Sequence, residues 1–225
     1  MIVSDKRLQE LRAEFHEPFG PVMTTGRVSK EILDGVNHKS EQYFEDKSTK
    51  DYGPELVGTN VQEIQFPNED AEELGLCDVI RDLAQSMTQF YAQRNKVYNR
   101  NQPSAYVESY DFIDFWVNKT QAGDYNPIHS HGSMLSGILY LKVPNELREE
   151  SVKSHYRTEG HTEFHCPTQE LFSNNAWLLL PPEGTIILFP SWVAHTVYPF
   201  RNQDIERRTM SFNLNVRVMQ TNNQG

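Results

Sequence analysis

The sequence predicts an α+β chain, mainly β, in which a sandwich or jelly roll is supported by N-terminal helices. Two observations lead there. From about Tyr106 onward, short apolar runs alternate with turn residues such as Gly123-Asp124, Pro181-Pro182-Glu183-Gly184 and Asn202-Gln203-Asp204. Before that point, two stretches carry apolar residues at helical spacing instead. A length of 225 residues suffices for one large domain with a substantial core.

In chain order, Ser29 is placed to cap a helix running through about Phe44, with Leu33, Val36, Ser40 and Tyr43 on one face. Residues 47–62 are polar and contain glycine, which reads as a loop. Asn68 is a good N-cap for a second, longer helix, with Glu69 and Asp70 favourably placed in its first turn. Its acidic start, 68–73, reads as a solvated helix end. Val79, Ile80, Leu83, Met87, Phe90 and Tyr91 form a stripe toward Val97 that packs against a sheet, and Cys77 reads as a small buried apolar residue. Strands are expected at 111–118, 129–131, 135–143, 162–164, 177–180, 185–189, 196–198 and 207–218, with the charged piece 145–156 as an exposed insertion. The organisation is therefore a mixed helical segment, 1–105, packing on a β core, 106–225, in one structural unit.

A formal net charge of −10 argues against nucleic acid or an anionic membrane as a bulk partner. The two cysteines, Cys77 and Cys166, imply no disulfide framework and fit a reducing compartment. The N-terminus lacks the apolar core of a signal peptide, and no apolar run approaches the ~20 residues that span a bilayer. The expected location is the cytoplasm.

Chemistry concentrates in Tyr125-Asn-Pro-Ile-His129-Ser-His131. Histidines at i and i+2 on extended backbone point to the same face and suit a shared metal ion. A third histidine arrives far downstream, in Gly184-Thr-Ile-Ile-Leu-Phe-Pro-Ser-Trp-Val-Ala-His195, delivered by an aromatic turn to the start of a strand. Three protein ligands with open positions make a catalytic metal site. A second grouping, His155, His161, His165 and Cys166, has one thiolate and matches no closed zinc spacing. Neither a glycine-rich phosphate loop nor a Gly-x-Ser-x-Gly elbow occurs.

The order Asn-Pro-x-His-x-His, Leu135-Ser-Gly-Ile-Leu-Tyr-Leu-Lys-Val-Pro144, Gly-x-Ile-Ile-Leu-Phe-Pro-Ser-Trp-x-x-His and Glu206-Arg-Arg-Thr-Met-Ser-Phe-Asn213 resembles the 2-oxoglutarate- and Fe(II)-dependent oxygenases. Within these it is closest to the branch found in bacteria and tailed phages. The resemblance covers about residues 106–216. It implies a double-stranded β-helix, a jelly roll with a metal at one mouth. It also implies Fe(II) and 2-oxoglutarate as cofactors, oxidative decarboxylation of the keto acid coupled to hydroxylation of a substrate, and the host cytoplasm if the gene is a phage's. His129 matches the family's first ligand and His195 its last. The carboxylate that usually stands two residues after the first is replaced by His131, which leaves open whether imidazole or water fills that position.

For the cosubstrate, the resemblance implies an arginine on the strand after the distal histidine, followed two residues later by Ser or Thr. Arg207 with Thr209 fits this pattern, and a guanidinium fork matches a carboxylate. Alternation puts Arg207, Thr209, Ser211 and Asn213 on one face. A one-residue slip would substitute Arg208, and a surface ion pair with Glu206 is the ordinary alternative for either arginine. Ser136, Tyr140 and Asn118 are further candidates for cosubstrate contact, with Trp116 sharing the face of Asn118. The substrate, an unidentified small molecule or peptide, would be read by loops 49–58 and 145–175. Two other readings stand beside this one: a cupin-type three-histidine dioxygenase that uses no keto acid, and a non-catalytic jelly-roll binding module. Zinc hydrolysis lacks an evident general base.

Overall fold

The computed structural model describes residues 14–16, 20–59, 62–98, 104–153, 158–165 and 175–221. Among the described residues, eleven strands are arranged in two antiparallel sheets. In chain order they are β1 (Glu14–His16), β2 (Met23–Arg27), β3 (Gln62–Phe66), β4 (Ser104–Thr120), β5 (Asn126–His129), β6 (Leu135–Lys142), β7 (Thr162–His165), β8 (Ala176–Leu179), β9 (Thr185–Pro190), β10 (Ala194–Val197) and β11 (Arg207–Thr221). The large sheet runs β1-β2-β9-β6-β11-β4-β3 and the small one β5-β10-β7-β8. This is the double-stranded β-helix that the sequence implied.

The helices are α1 (Lys30–Glu45), α2 (Asn68–Glu73), α3 (Leu76–Tyr98) and α4 (Asn145–Lys153). Ser29 caps α1 as expected, its hydroxyl accepting from the Ile32 N–H at 3.2 Å, and Val36 and Ser40 are buried. The second helix differs from expectation. Pro67 occupies its N-cap, and the Asn68 amide donates instead to the Phe112 carbonyl at 3.0 Å. Gly75, at φ 75°, then separates α2 from α3, because a left-handed residue ends an α-helix. Cys77 is buried near the start of α3, and its thiol is pushed up to about 12 by that burial and by a hydrogen bond with Glu72.

Three strands come from the part read as mainly helical and loop. β2 pairs with β9, and β3 pairs with β4. Short strands such as Met-Thr-Thr-Gly-Arg carry too little alternation to announce themselves. Within the expected exposed insertion 145–156, residues 145–153 form α4, which is anchored by fully buried Leu147. The expected strand 129–131 ends at His129, which leaves His131 on the connection to β6.

Alternation along β6 and β9 supplies two cores at once. Leu135, Leu139, Leu141, Ile186 and Leu188 face the helices, packing with Val36, Ile80 and Leu83. Ile138, Tyr140, Ile187 and Phe189 face the small sheet and meet Phe164 and Val193. Among the described residues no helix is long and apolar enough to cross a membrane.

Gly137 sits where β6 crosses Phe212 of β11. A Cβ there would lie 2.1 Å from Phe212 Cζ and 2.7 Å from the Ile187 carbonyl oxygen. Gly137→Ala therefore lowers stability, by about 1–3 kcal/mol for overpacking of this kind. Chemical denaturation measures it, and an unchanged midpoint would contradict the β6–β11 register.

Candidate metal centre and cosubstrate pocket

The pairing of β5 with β10 sets His129 directly across from His195. Their ring centroids are 4.3 Å apart, and His131 lies 5.1 Å from one and 5.2 Å from the other. One nitrogen from each ring falls within 4.8 Å of the others, the one such grouping of three potential ligands among the described residues. Of the other grouping, His155 and Cys166 lie outside the described residues, and His161 engages the Glu159 carbonyl at 3.0 Å.

The Nδ1–H groups of His129 and His195 donate to the Pro127 and Val193 carbonyls, at 2.8 and 3.1 Å. A backbone carbonyl that takes the Nδ1 proton fixes the tautomer and leaves Nε2 as a lone pair. His195 Nε2 then faces His131 Nε2 at 3.4 Å. Burial holds His195 down to about 3 and His131 to about 4, and lowers His129 as well, with repulsion among the rings adding to the first two. All three are therefore neutral at pH 7, the form that binds metal. Trp116 lies against His131 with centroids 5.9 Å apart and stacks in turn on Tyr52, whose hydroxyl donates to Asp114 at 2.5 Å.

The three histidines line a cavity of about 140 Å³ together with Asn118, Arg207 and Thr209. Arg207 is almost fully buried, with 2% exposure. Its guanidinium lies 5.3 Å from the Tyr140 ring centroid and donates to Thr162 Oγ1 at 3.3 Å, and its Nε has no partner. Among the described residues no carboxylate pairs with it. Desolvation lowers its pKa, offset in part by Tyr140. A buried cation without a counter-charge is costly, so the cavity calls for an anion. That is the requirement a keto-diacid meets.

Arg208 takes the other face. It pairs with Glu206 at 2.6 Å and Glu41 at 2.9 Å and does not line the cavity. The ordinary alternative, an ion pair with Glu206, thus holds for Arg208 and not for Arg207. Asn118 donates to Ser211 Oγ at 3.1 Å and Thr209 Oγ1 at 3.5 Å, leaving its Oδ1 without a partner. Tyr140 and Ser136 share the expected face but neither lines the cavity. The Tyr140 hydroxyl donates to Thr162 at 2.8 Å, and Ser136 donates to Asn213 Oδ1 at 2.7 Å. Thr162 was not singled out from the sequence, because only the pairing of β7 with β10 brings it beside Arg207. The expected loop 49–58 does reach the cavity, through residues 55–58.

Residues 114–213 match the sequence model of a family described as "Putative 2OG-Fe(II) oxygenase". Over that stretch, which is less than half of the 225 residues, the chain is similar to this family. No curated protein sequence matches it. Among solved structures, the chain is similar to the non-heme alpha ketoglutarate dependent epimerase SnoN from nogalamycin biosynthesis. That likeness has a TM-score of 0.56 at 9% identity, over 88% of this chain and 78% of that one. AviO1 from Streptomyces viridochromogenes Tue57 gives 0.51 at 9%, over 86% and 89%. HygX from Streptomyces hygroscopicus, solved with nickel, 2-oxoglutarate and hygromycin B bound, gives 0.50 at 10%, over 86% and 82%. At these identities the likeness is one of fold. The family's cofactors are Fe(II) and 2-oxoglutarate, and the three inward nitrogens with the uncompensated Arg207 fit both.

The buried neutral histidines make the metal-free protein sensitive to acid. Their folded pKa values lie below the unfolded value of 6.5, so the unfolded state binds more protons as pH falls. The stability they contribute is complete above pH 6.5 and declines through the interval toward about 4 and 3. Each histidine adds a slope of up to about 1.4 kcal/mol per pH unit. His161, also lowered by burial, acts in the same direction. Urea midpoints of metal-free protein at pH 7 and pH 5 read the effect, and equal midpoints would contradict it.

Proposed function

We propose that the protein is a 2OG-Fe(II) oxygenase, a hydroxylase whose metal is held by His129, His131 and His195 and whose cosubstrate is anchored by Arg207. The observation that carries this reading is the buried guanidinium of Arg207, without a carboxylate partner among the described residues, in the same cavity as three convergent neutral imidazoles. When bound, Fe(II) and 2-oxoglutarate supply O2 activation, with the keto acid converted to succinate and CO2 and a substrate C–H bond hydroxylated.

The chain's own residues position and exclude. The Nε2 atoms of the three histidines would hold the metal, with Pro127 and Val193 carbonyls fixing two of the rings. The Arg207 fork would take the far carboxylate of the keto acid, braced by the Tyr140 ring and Thr162. Thr209 and the Asn118 amide line the same wall. Val57, Tyr125, Ile128, Met134 and Trp192 expose large apolar side chains on segments that flank the site, which favours a substrate with apolar surface.

Succinate formation from 2-oxoglutarate tests the assignment, using anaerobically purified Fe(II)-loaded protein after oxygen is admitted. Turnover is expected without added substrate and is expected to vanish in His195→Ala along with Fe(II) binding. Full Fe(II) affinity in that variant would contradict the ligand set. Arg207→Ala is expected to raise KM for 2-oxoglutarate by at least tenfold, since charge-assisted bidentate contacts are the strong ones. An equal rise in Arg208→Ala would contradict the observed register.

His131 in the place of a carboxylate favours a second reading, a three-histidine dioxygenase that needs no keto acid. Tight Fe(II) binding with no succinate, and no spectral change on adding 2-oxoglutarate, would select it.

A further inference from the structure

His131 lies beyond the end of β5, on a connection with no strand pairing of its own, yet a metal ligand must be held to within about 0.5 Å. Ser191, in the turn between β9 and β10, brackets that connection. Its carbonyl accepts from the His131 N–H at 2.9 Å, and its own N–H donates to the Met134 carbonyl at 3.1 Å. Its hydroxyl lies 2.6 Å from Ser133 Oγ and 2.8 Å from Ser136 Oγ. Ser136 and Ser133 also donate to Asn213 Oδ1, at 2.7 and 3.2 Å. Four separate pieces of the fold thus meet in one hydroxyl–amide cluster: the His131 connection, β6, the β9–β10 turn and β11.

Ser191 is fully buried and Ser136 nearly so. Buried hydroxyls are tolerated only when bonded, and a satisfied network selects one arrangement over others. None of the four side chains lines the cavity, so none touches what binds there. Ser191 is also four residues before His195 in the chain, so one residue refers the position of His131 to that of its neighbour.

We infer that Ser191, with Ser133, Ser136 and Asn213, is a positioning cluster that sets His131 relative to His195. This inference rests on the proposed reading of both histidines as metal ligands. The cluster does for the displaced third ligand what a continuous strand would do for a ligand on β5: it fixes the backbone on which the imidazole stands.

The test is an anaerobic Co(II) titration, following visible ligand-field absorption, on the full chain and on Ser191→Ala, Ser133→Ala, His131→Ala and the Ser191→Ala/His131→Ala double variant. Ser191→Ala is expected to weaken Co(II) binding by about tenfold or more and to alter the absorption band. In the His131→Ala background the same change is expected to cost nothing further. Ser133→Ala, at a less buried position, is expected to act in the same direction and carries the test if Ser191→Ala does not fold. Wild-type affinity and band shape in both folded serine variants would overturn the inference. So would an equal loss with and without His131, which is what a merely structural role predicts. Unaltered Co(II) binding in His131→Ala itself would instead remove the ligand reading, and the inference with it.

Discussion

The antiparallel pairing of β5 with β10 is the interaction on which the site depends. It sets His129 opposite His195 at one end of the small sheet, and the same β10 pairs on its other side with β7, which carries Thr162. Thr162 then meets Arg207, the first residue of β11, across the space between the sheets. A slip of one residue in β10 would turn His195 away from the cavity, since successive side chains alternate faces. The large sheet supplies the opposite wall, with Asn118 from β4 and Thr209 from β11 in register across from one another.

Electrostatics separate this pocket from the rest of an acidic chain. Glu206, partly buried just before β11, is pushed up by desolvation, but Arg208, Lys142 and Lys119 outweigh this and hold its carboxyl below the usual range. Those charges compensate one another outside the cavity. Inside it, the imidazoles are neutral and Arg207 is left uncompensated among the described residues. With imidazole in place of the usual carboxylate, a divalent metal here would carry one negative ligand charge fewer. The cavity would then be more strongly cationic, and its demand for a dianionic cosubstrate correspondingly greater.

Much of this was legible in the sequence because its causes are local. His129 and His195 sit beside turn residues that announce where strands start and stop, and Arg207 and Thr209 share a face by the period of two. What the sequence did not disclose depends on depth and on long-range pairing. Alternation put Ser136 and Tyr140 on the correct face, but only the packed structure shows Ser136 turned to Asn213 and Tyr140 to Thr162, behind the cavity wall. Asn68 looked like an N-cap, yet a tertiary partner, the Phe112 carbonyl, claimed its side chain. His131 was expected on a strand and stands on a connection, its N–H bonded to the Ser191 carbonyl, a partner that no local pattern signals.

The most direct test of the central claim is an anaerobic crystal structure of the Fe(II)- and 2-oxoglutarate-loaded protein, with iron located by anomalous scattering. The account predicts iron bonded to Nε2 of His129, His131 and His195, with the far carboxylate of the keto acid on the Arg207 guanidinium. Iron held without His131, or a keto acid whose far carboxylate rests elsewhere than on Arg207, would contradict it.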